Sequence, residues 1–231
     1  MTPGEKLLEA VVVMDRLRSP GGCPWDAEQT HESLRQYLVE ECFELIEAIE
    51  DGDRAALREE LGDVLLQVLF HARVAQEHPD DPFTVDDVAA TLSSKLIGRH
   101  PHVFATDPEV RDSATQEKRW EELKQVEKKR ESSIDGVALG APALALAAKL
   151  AQRTARAGFP ADLLPSGDSP AEQLFATAAR AKIAGEEPEG DVRAVARKFA
   201  EDVRTAERAA KDAGLDPAAL SEQEWRRFWP R

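Results

Sequence analysis

The sequence predicts an all-α protein, on three observations. Apolar residues recur near the 3.6-residue period of a helix in segment after segment, and no segment alternates convincingly as a strand. The periodic segments open on Thr, Asp or Ser and close on Gly or Pro. Charged residues make up 32% of the chain, and one Tyr and eight Phe supply few aromatics for sheet surfaces. With 42% apolar residues, 231 residues suffice for one large or two small domains with a proper core.

The elements follow in order. Leu7, Leu8, Val11, Val12 and Leu17 define a helix over 5–18, which Pro20, Gly21, Gly22 and Pro24 break. The loop so formed carries Trp25 and Asp26. Thr30 is the expected N-cap of a helix running to about Asp51; Gly52 ends it, and Asp53 caps the next, which runs to about Gln76. Thr84-x-x-Asp87 forms a capping box for a helix to about Arg99. Arg99-His100-Pro101-His102 breaks that helix, and another is expected from about Thr115 to Arg130. After Ile134-Asp135-Gly136 the texture changes. Residues 137–157 are Ala-rich, 161–170 read as a linker, and helices follow at roughly 171–184 and 191–213. Ser221-x-x-Glu224 caps a final turn holding Trp225 and Trp229.

Charge and cysteine content exclude several functions. A formal net charge of −14 argues against a non-specific nucleic-acid binder, which needs a basic surface, but not against a nucleotide held through a cation. Cys23 and Cys42 make neither a metal spacing nor a disulfide framework, so a reduced, cytoplasmic setting is expected. The N-terminus lacks the features of a signal peptide, and no apolar run reaches the roughly 18 residues of a membrane span, so no membrane role is expected.

The strongest chemical signal lies on two consecutive helices. The first carries Glu40, Glu41, Glu44 and Glu47, the second Glu59, Glu60 and Asp63. On a helical wheel Leu34, Leu38, Leu45 and Ile49 form one apolar stripe, with Glu41 at its edge and Glu44 one turn on; Glu40 and Glu47 point further out. The second helix is apolar nearly all round after Glu60, so burial is expected, yet Glu60, Asp63, Gln67 and His71 line one narrow stripe along it. A glutamate cluster on a helix is commonly only a solvated face, but carboxylates in apolar surroundings call for a pairing cation. All candidate ligands are oxygens, which suits Mg²⁺, Mn²⁺ or Ca²⁺ rather than zinc; Mg²⁺ favours a few carboxylates together with phosphate oxygens. Lys95 and Arg99, and Lys118, Arg119 and Lys124 on the following helix, are candidate phosphate contacts, while Trp25 or Trp120 offers a face for a base. His100 and His102 lack a third ligand for zinc.

These residues resemble the MazG family of nucleoside triphosphate pyrophosphohydrolases. Gly21-Gly22-Cys23-Pro24-Trp25-Asp26 is similar to its N-terminal signature. Glu40-Glu41-Cys42-Phe43-Glu44, then fifteen residues, then Glu60-Leu61-Gly62-Asp63 is similar to its EExxE…ExxD motif. Lys95 through Phe104, and Arg119-Trp120-Glu121, are similar to the next two blocks. The resemblance implies an all-α fold with a four-helix-bundle core completed by dimerisation. It implies Mg²⁺ (or Mn²⁺) held by Glu41, Glu44, Glu60 and Asp63, with Glu40 as a helper in catalysis. It implies substrate contacts from Lys95, Arg99, Lys118, Trp120 and Trp25, and cleavage of (d)NTPs to NMP and pyrophosphate, often as a cleaning of the nucleotide pool.

The match covers residues 5–130, so the expected domains are 1–135, MazG-like, and 136–231, a degenerate second copy. In the latter, Leu150 to Pro160 is similar to a domain entry, but no EExxE follows, and Ser169 and Glu172 stand where the second motif's Glu and Asp are expected. Lys198, Arg204 and Trp225 survive as echoes of the basic and aromatic blocks. The competing reading is a catalytically weak helical scaffold or regulatory protein that binds a protein partner. A di-iron carboxylate bundle ranks last, because Glu28-x-x-His31 is the sequence's sole Glu-x-x-His motif where two are required.

Overall fold

The computed structural model describes residues 4–104 and 131–230, and all regular structure among them is helical. The chain divides into two compact units, Met1–Leu123 and Lys124–Arg231. The expected helix over Thr115–Arg130, with Lys118, Trp120 and Lys124, lies outside the described residues.

In the first unit, α1 (Glu5–Arg18) leads through a one-turn α2 (Pro24–Glu28) into a long hairpin of α3 (His31–Asp51) and α4 (Arg54–Ala75). Helix α5 (Val85–Arg99) and the single turn α6 (Pro101–Phe104) complete it. The hairpin is tight because Gly52 takes φ 67°, which a side chain resists, while the Asp53 carboxylate accepts from the Ala55 and Ala56 amides. Thr30 and Thr84 close the capping boxes at the starts of α3 and α5. Helix α4 is central: α1, α3 and α5 all pack on it. The core is Met14 of α1, Leu34 of α3, and Leu69 and Phe70 of α4, flanked by Val11, Tyr37, Leu65 and Val85.

The segment expected as a loop carries the one-turn α2, and its position is over-determined. A Cβ on Gly22 would stand 2.1 Å from the Leu17 carbonyl oxygen, so only glycine lets the chain double back on α1. The buried Arg18 guanidinium then donates to the Asp26 and Gln29 carbonyls and forks onto Glu77 at 3.0 and 2.9 Å. Arg73 adds a 2.8 Å bond to Glu77 and another to Asp15. These bonds, led by the one from Arg18, hold the Glu77 carboxyl below the ordinary glutamate range. Glu77→Gln is expected to lower stability by about 2 kcal/mol at neutral pH, discounted for the half-exposed carboxylate. Since the carboxyl is depressed in the fold, its contribution is full above the unfolded range and fades as pH falls through the folded one. Urea melts of the two proteins should therefore start to converge only as pH falls below the ordinary glutamate range, and merge once it is below the depressed folded one.

One expectation fails. Helix α4 is not buried on all sides: Leu61, Leu66 and Val68 stay 52, 39 and 42% exposed. Ile49, placed in the apolar stripe of α3, is exposed, and the covered position beside it is Ala48.

In the second unit α7 (Ala143–Arg156), α8 (Pro170–Ile183) and α9 (Pro188–Asp212) pack together, and α10 (Glu222–Phe228) lies on α9. Their meeting faces are alanines: Ala147, Ala148 and Ala151; Ala176, Ala178 and Ala179; Ala206 and Ala210. Small side chains at the crossings allow close helix approach. Within the expected linker, Ala161–Leu163 forms a 3₁₀ turn.

Candidate metal centre and substrate site

The α3–α4 hairpin brings the two acidic runs face to face. Antiparallel helices joined by a two-residue turn place Glu41, eleven residues before Gly52, opposite Asp63, eleven residues after it. Glu60 lies one turn from Asp63 on the same face of α4. One carboxylate oxygen from each of Glu41, Glu60 and Asp63 lies within 4.8 Å of the others, and all three residues are half-buried. Glu44, read at sequence level as equally core-directed, is exposed, and Glu40 is exposed on the outer side of α3.

The electrostatics follow from this crowding. Loss of water between the helices pushes the Glu41 carboxyl above its ordinary range, and the charges of Asp63 and Glu44, a hydrogen bond with Glu44, and the charge of Glu60 push it further. Glu60 is raised likewise, first by desolvation, then by Glu44, Asp63 and Glu59. No cationic side chain offsets these charges at either group. Like charges are thus crowded at Glu41 and Glu60, and a divalent cation relieves the repulsion. An all-oxygen donor set fits a hard ion such as Mg²⁺ or Mn²⁺. Among the described residues, no other group of His, Cys, Asp or Glu meets the geometric requirement.

The remaining predicted residues are less concentrated. Trp25 is half-exposed on α2 and packs edge-on against Tyr37 of α3 at 5.8 Å and Phe70 of α4 at 6.2 Å. Lys95 is exposed on α5. Arg99, on the same helix, is 7% exposed and engaged by protein contacts. In the second unit, Glu172 is occupied as a cap: its carboxylate accepts from the Ser169 amide and hydroxyl. Lys198 is closed onto Asp202 at 2.6 Å. Sequence reasoning passed over the pairing of His31 with His71, whose rings stack at 5.1 Å between centroids with Nδ1 atoms 2.8 Å apart. Its one signal was His71's place on the Glu60–Asp63–Gln67 stripe.

Comparison with known proteins agrees with the geometry. A family model of the MazG nucleotide pyrophosphohydrolase domain matches residues 29–104, the span from the end of α2 to the end of α6. The chain is 46% identical to a nucleoside triphosphate pyrophosphohydrolase of Mycolicibacterium smegmatis, over 99% of this chain and 71% of that one. It is 37% identical to the nucleoside triphosphate pyrophosphohydrolase/pyrophosphatase MazG of Thermotoga maritima, over 96% and 94% of the two chains. It is also 50% identical to an uncharacterized 26.1 kDa protein of Streptomyces cacaoi, over 89% and 84%.

Proposed function

This chain belongs to the MazG family of nucleotide pyrophosphohydrolases, and on that premise we propose that it hydrolyses ribo- and deoxynucleoside triphosphates to the monophosphate and pyrophosphate, with Mg²⁺ as the working ion. The observation that carries the reading is the convergence of Glu41, Glu60 and Asp63, three carboxylates crowded together on facing helices.

In this reading Glu41, Glu60 and Asp63 hold the ion, and Glu44, one turn along α3, joins them. A bound divalent cation supplies Lewis acidity at phosphorus and neutralises the triphosphate. Glu40 or Glu44, whichever is left free of the ion, takes the proton of the attacking water. Lys95, exposed on α5, contacts an outer phosphate oxygen, and Lys118 and Trp120 add to it in the family pattern; Arg99 acts by bracing α5 from within. The face of Trp25 receives the base. A second copy of the chain covers the exposed apolar flank of α1 and α4, where Val13, Leu17, Leu61 and Leu66 stand open. The second unit is a degenerate repeat without a metal site, since Glu172 serves as a helix cap. Removal of non-standard nucleotides in the cytoplasm is the cellular role that fits such an enzyme.

Among the described residues, no helix is long and apolar enough to cross a membrane. The test is pyrophosphate release over a panel of standard and damaged triphosphates, with Mg²⁺ and after chelation. Mg²⁺-dependent release of pyrophosphate is the expected result. Release of orthophosphate, or no turnover of any member of the panel, would contradict it.

A further inference from the structure

Gln67 and His71 continue the α4 stripe that begins with Glu60 and Asp63. Each carries a polar atom closed off from solvent with no hydrogen-bond partner, Oε1 of Gln67 and Nε2 of His71. Gln67 as a whole is 4% exposed. Leaving a buried polar atom unpaired is costly, so two on consecutive turns of one stripe demand a reason that packing does not supply. The other ring nitrogen of His71 is already engaged, 2.8 Å from Nδ1 of His31. That pairing leaves Nε2 adaptable. When His31 donates between the two Nδ1 atoms, His71 carries its proton on Nε2 and donates from it; when His71 donates, Nε2 accepts.

The spacing indicates the ligand. Along the helix axis Gln67 is about 6 Å and His71 about 12 Å beyond Asp63. A triphosphate anchored at the carboxylates has its nucleoside at that remove. Trp25 stands at the same end, against Phe70, the residue before His71. We infer that Gln67 Oε1 and His71 Nε2 form the base-recognising end of the site, pairing with N–H and carbonyl groups of the nucleobase and setting selectivity among bases. The inference rests on the reading that nucleoside triphosphates bind at Glu41, Glu60 and Asp63. Because both atoms are closed to water in the free chain, binding opens the wall over them and the new bonds form in low dielectric. Mismatched bases leave polar atoms unpaired there, and discrimination is greatest. In the second unit the residue four after Glu172 is Ala176, buried and apolar, as expected where no base is read.

The experiment is equilibrium binding of non-hydrolysable analogues of four nucleoside triphosphates, and of inorganic tripolyphosphate, to the wild type and to Gln67→Met and His71→Phe, all with Mg²⁺. Met matches the volume of Gln, and His71→Gln is a second, polar variant should the Phe protein fold poorly. The expected result is a change on the order of 10-fold in the affinity ratio between bases, with tripolyphosphate affinity unchanged. His71→Gln is expected to restore part of the wild-type ratio. If all four analogues and tripolyphosphate weaken together, or if no ratio moves while the melting temperature rises, the two atoms serve only a buried water and the inference is overturned. Pyrophosphate release by the wild type is measured in parallel. Its absence with base-selective binding intact counts against the hydrolytic reading and leaves this inference supported.

Discussion

Asp63→Ala should reduce Mg²⁺-dependent pyrophosphate release by more than about 100-fold, since loss of a residue merely supporting a metal ligand costs 10–100-fold. Asp63 is the pivot of the cluster: it lies one turn from Glu60 on α4, faces Glu41 across the hairpin, and contributes to the raised carboxyls of both. Its removal deprives the ion of a ligand and takes away the repulsion that its charge exerts on Glu41 and Glu60. The melting temperature of the metal-free protein should therefore not fall, and should rise if repulsion is the main local strain. In the wild type, Mg²⁺ at 100 times its dissociation constant adds about 2.7 kcal/mol and shifts the melt upward; the variant loses that shift. Differential scanning with and without Mg²⁺, beside the activity assay, measures both effects. Glu172→Ala in the second unit is the control and should leave turnover unchanged, because that carboxylate only closes a helix cap. An Asp63→Ala protein with full activity would disprove the assignment.

Leu34→Ala should lower the stability of the first unit by about 3 kcal/mol, and its melting temperature by on the order of 10 °C. Among the described residues Leu34 is the one large side chain below 2% exposure, and it joins α3 to Met14 of α1 and to Leu69 and Phe70 of α4. Deleting its methyl groups leaves a cavity that long helices cannot collapse to fill. The chain forms two compact units, so the effect should fall on the transition of the first and leave the second in place. Denaturant unfolding followed by fluorescence in a background where Trp120, Trp225 and Trp229 are replaced by Phe, so that Trp25 reports the first unit, and by far-UV circular dichroism for the whole, separates the two. A loss below about 1 kcal/mol would mean that the core is malleable around α3.

Helix existence was determined by the sequence alone, because caps and breakers act within a few residues: Thr30, Gly52 with Asp53, Thr84 and Ser221 stand where the observed helices begin or end. The pairing of the two acidic runs was legible for the same reason, since a tight turn at Gly52 leaves an antiparallel hairpin as the arrangement that brings them together. Other features depended on residues distant in sequence. Arg18 reaching Glu77 folds the Gly21–Gln29 segment into place and positions Trp25. Which carboxylates converge was settled by the packing of α3 on α4, which half-buries Glu41 and leaves Glu44 open to water. Arg99 looked like a surface cation at the end of a helix and is buried. The His31–His71 stack joins two positions forty residues apart. Helical period tells which side chains share a face of one helix. Which part of that face loses its water is decided by the helix laid against it, and the chemistry of a carboxylate or an imidazole depends on that water.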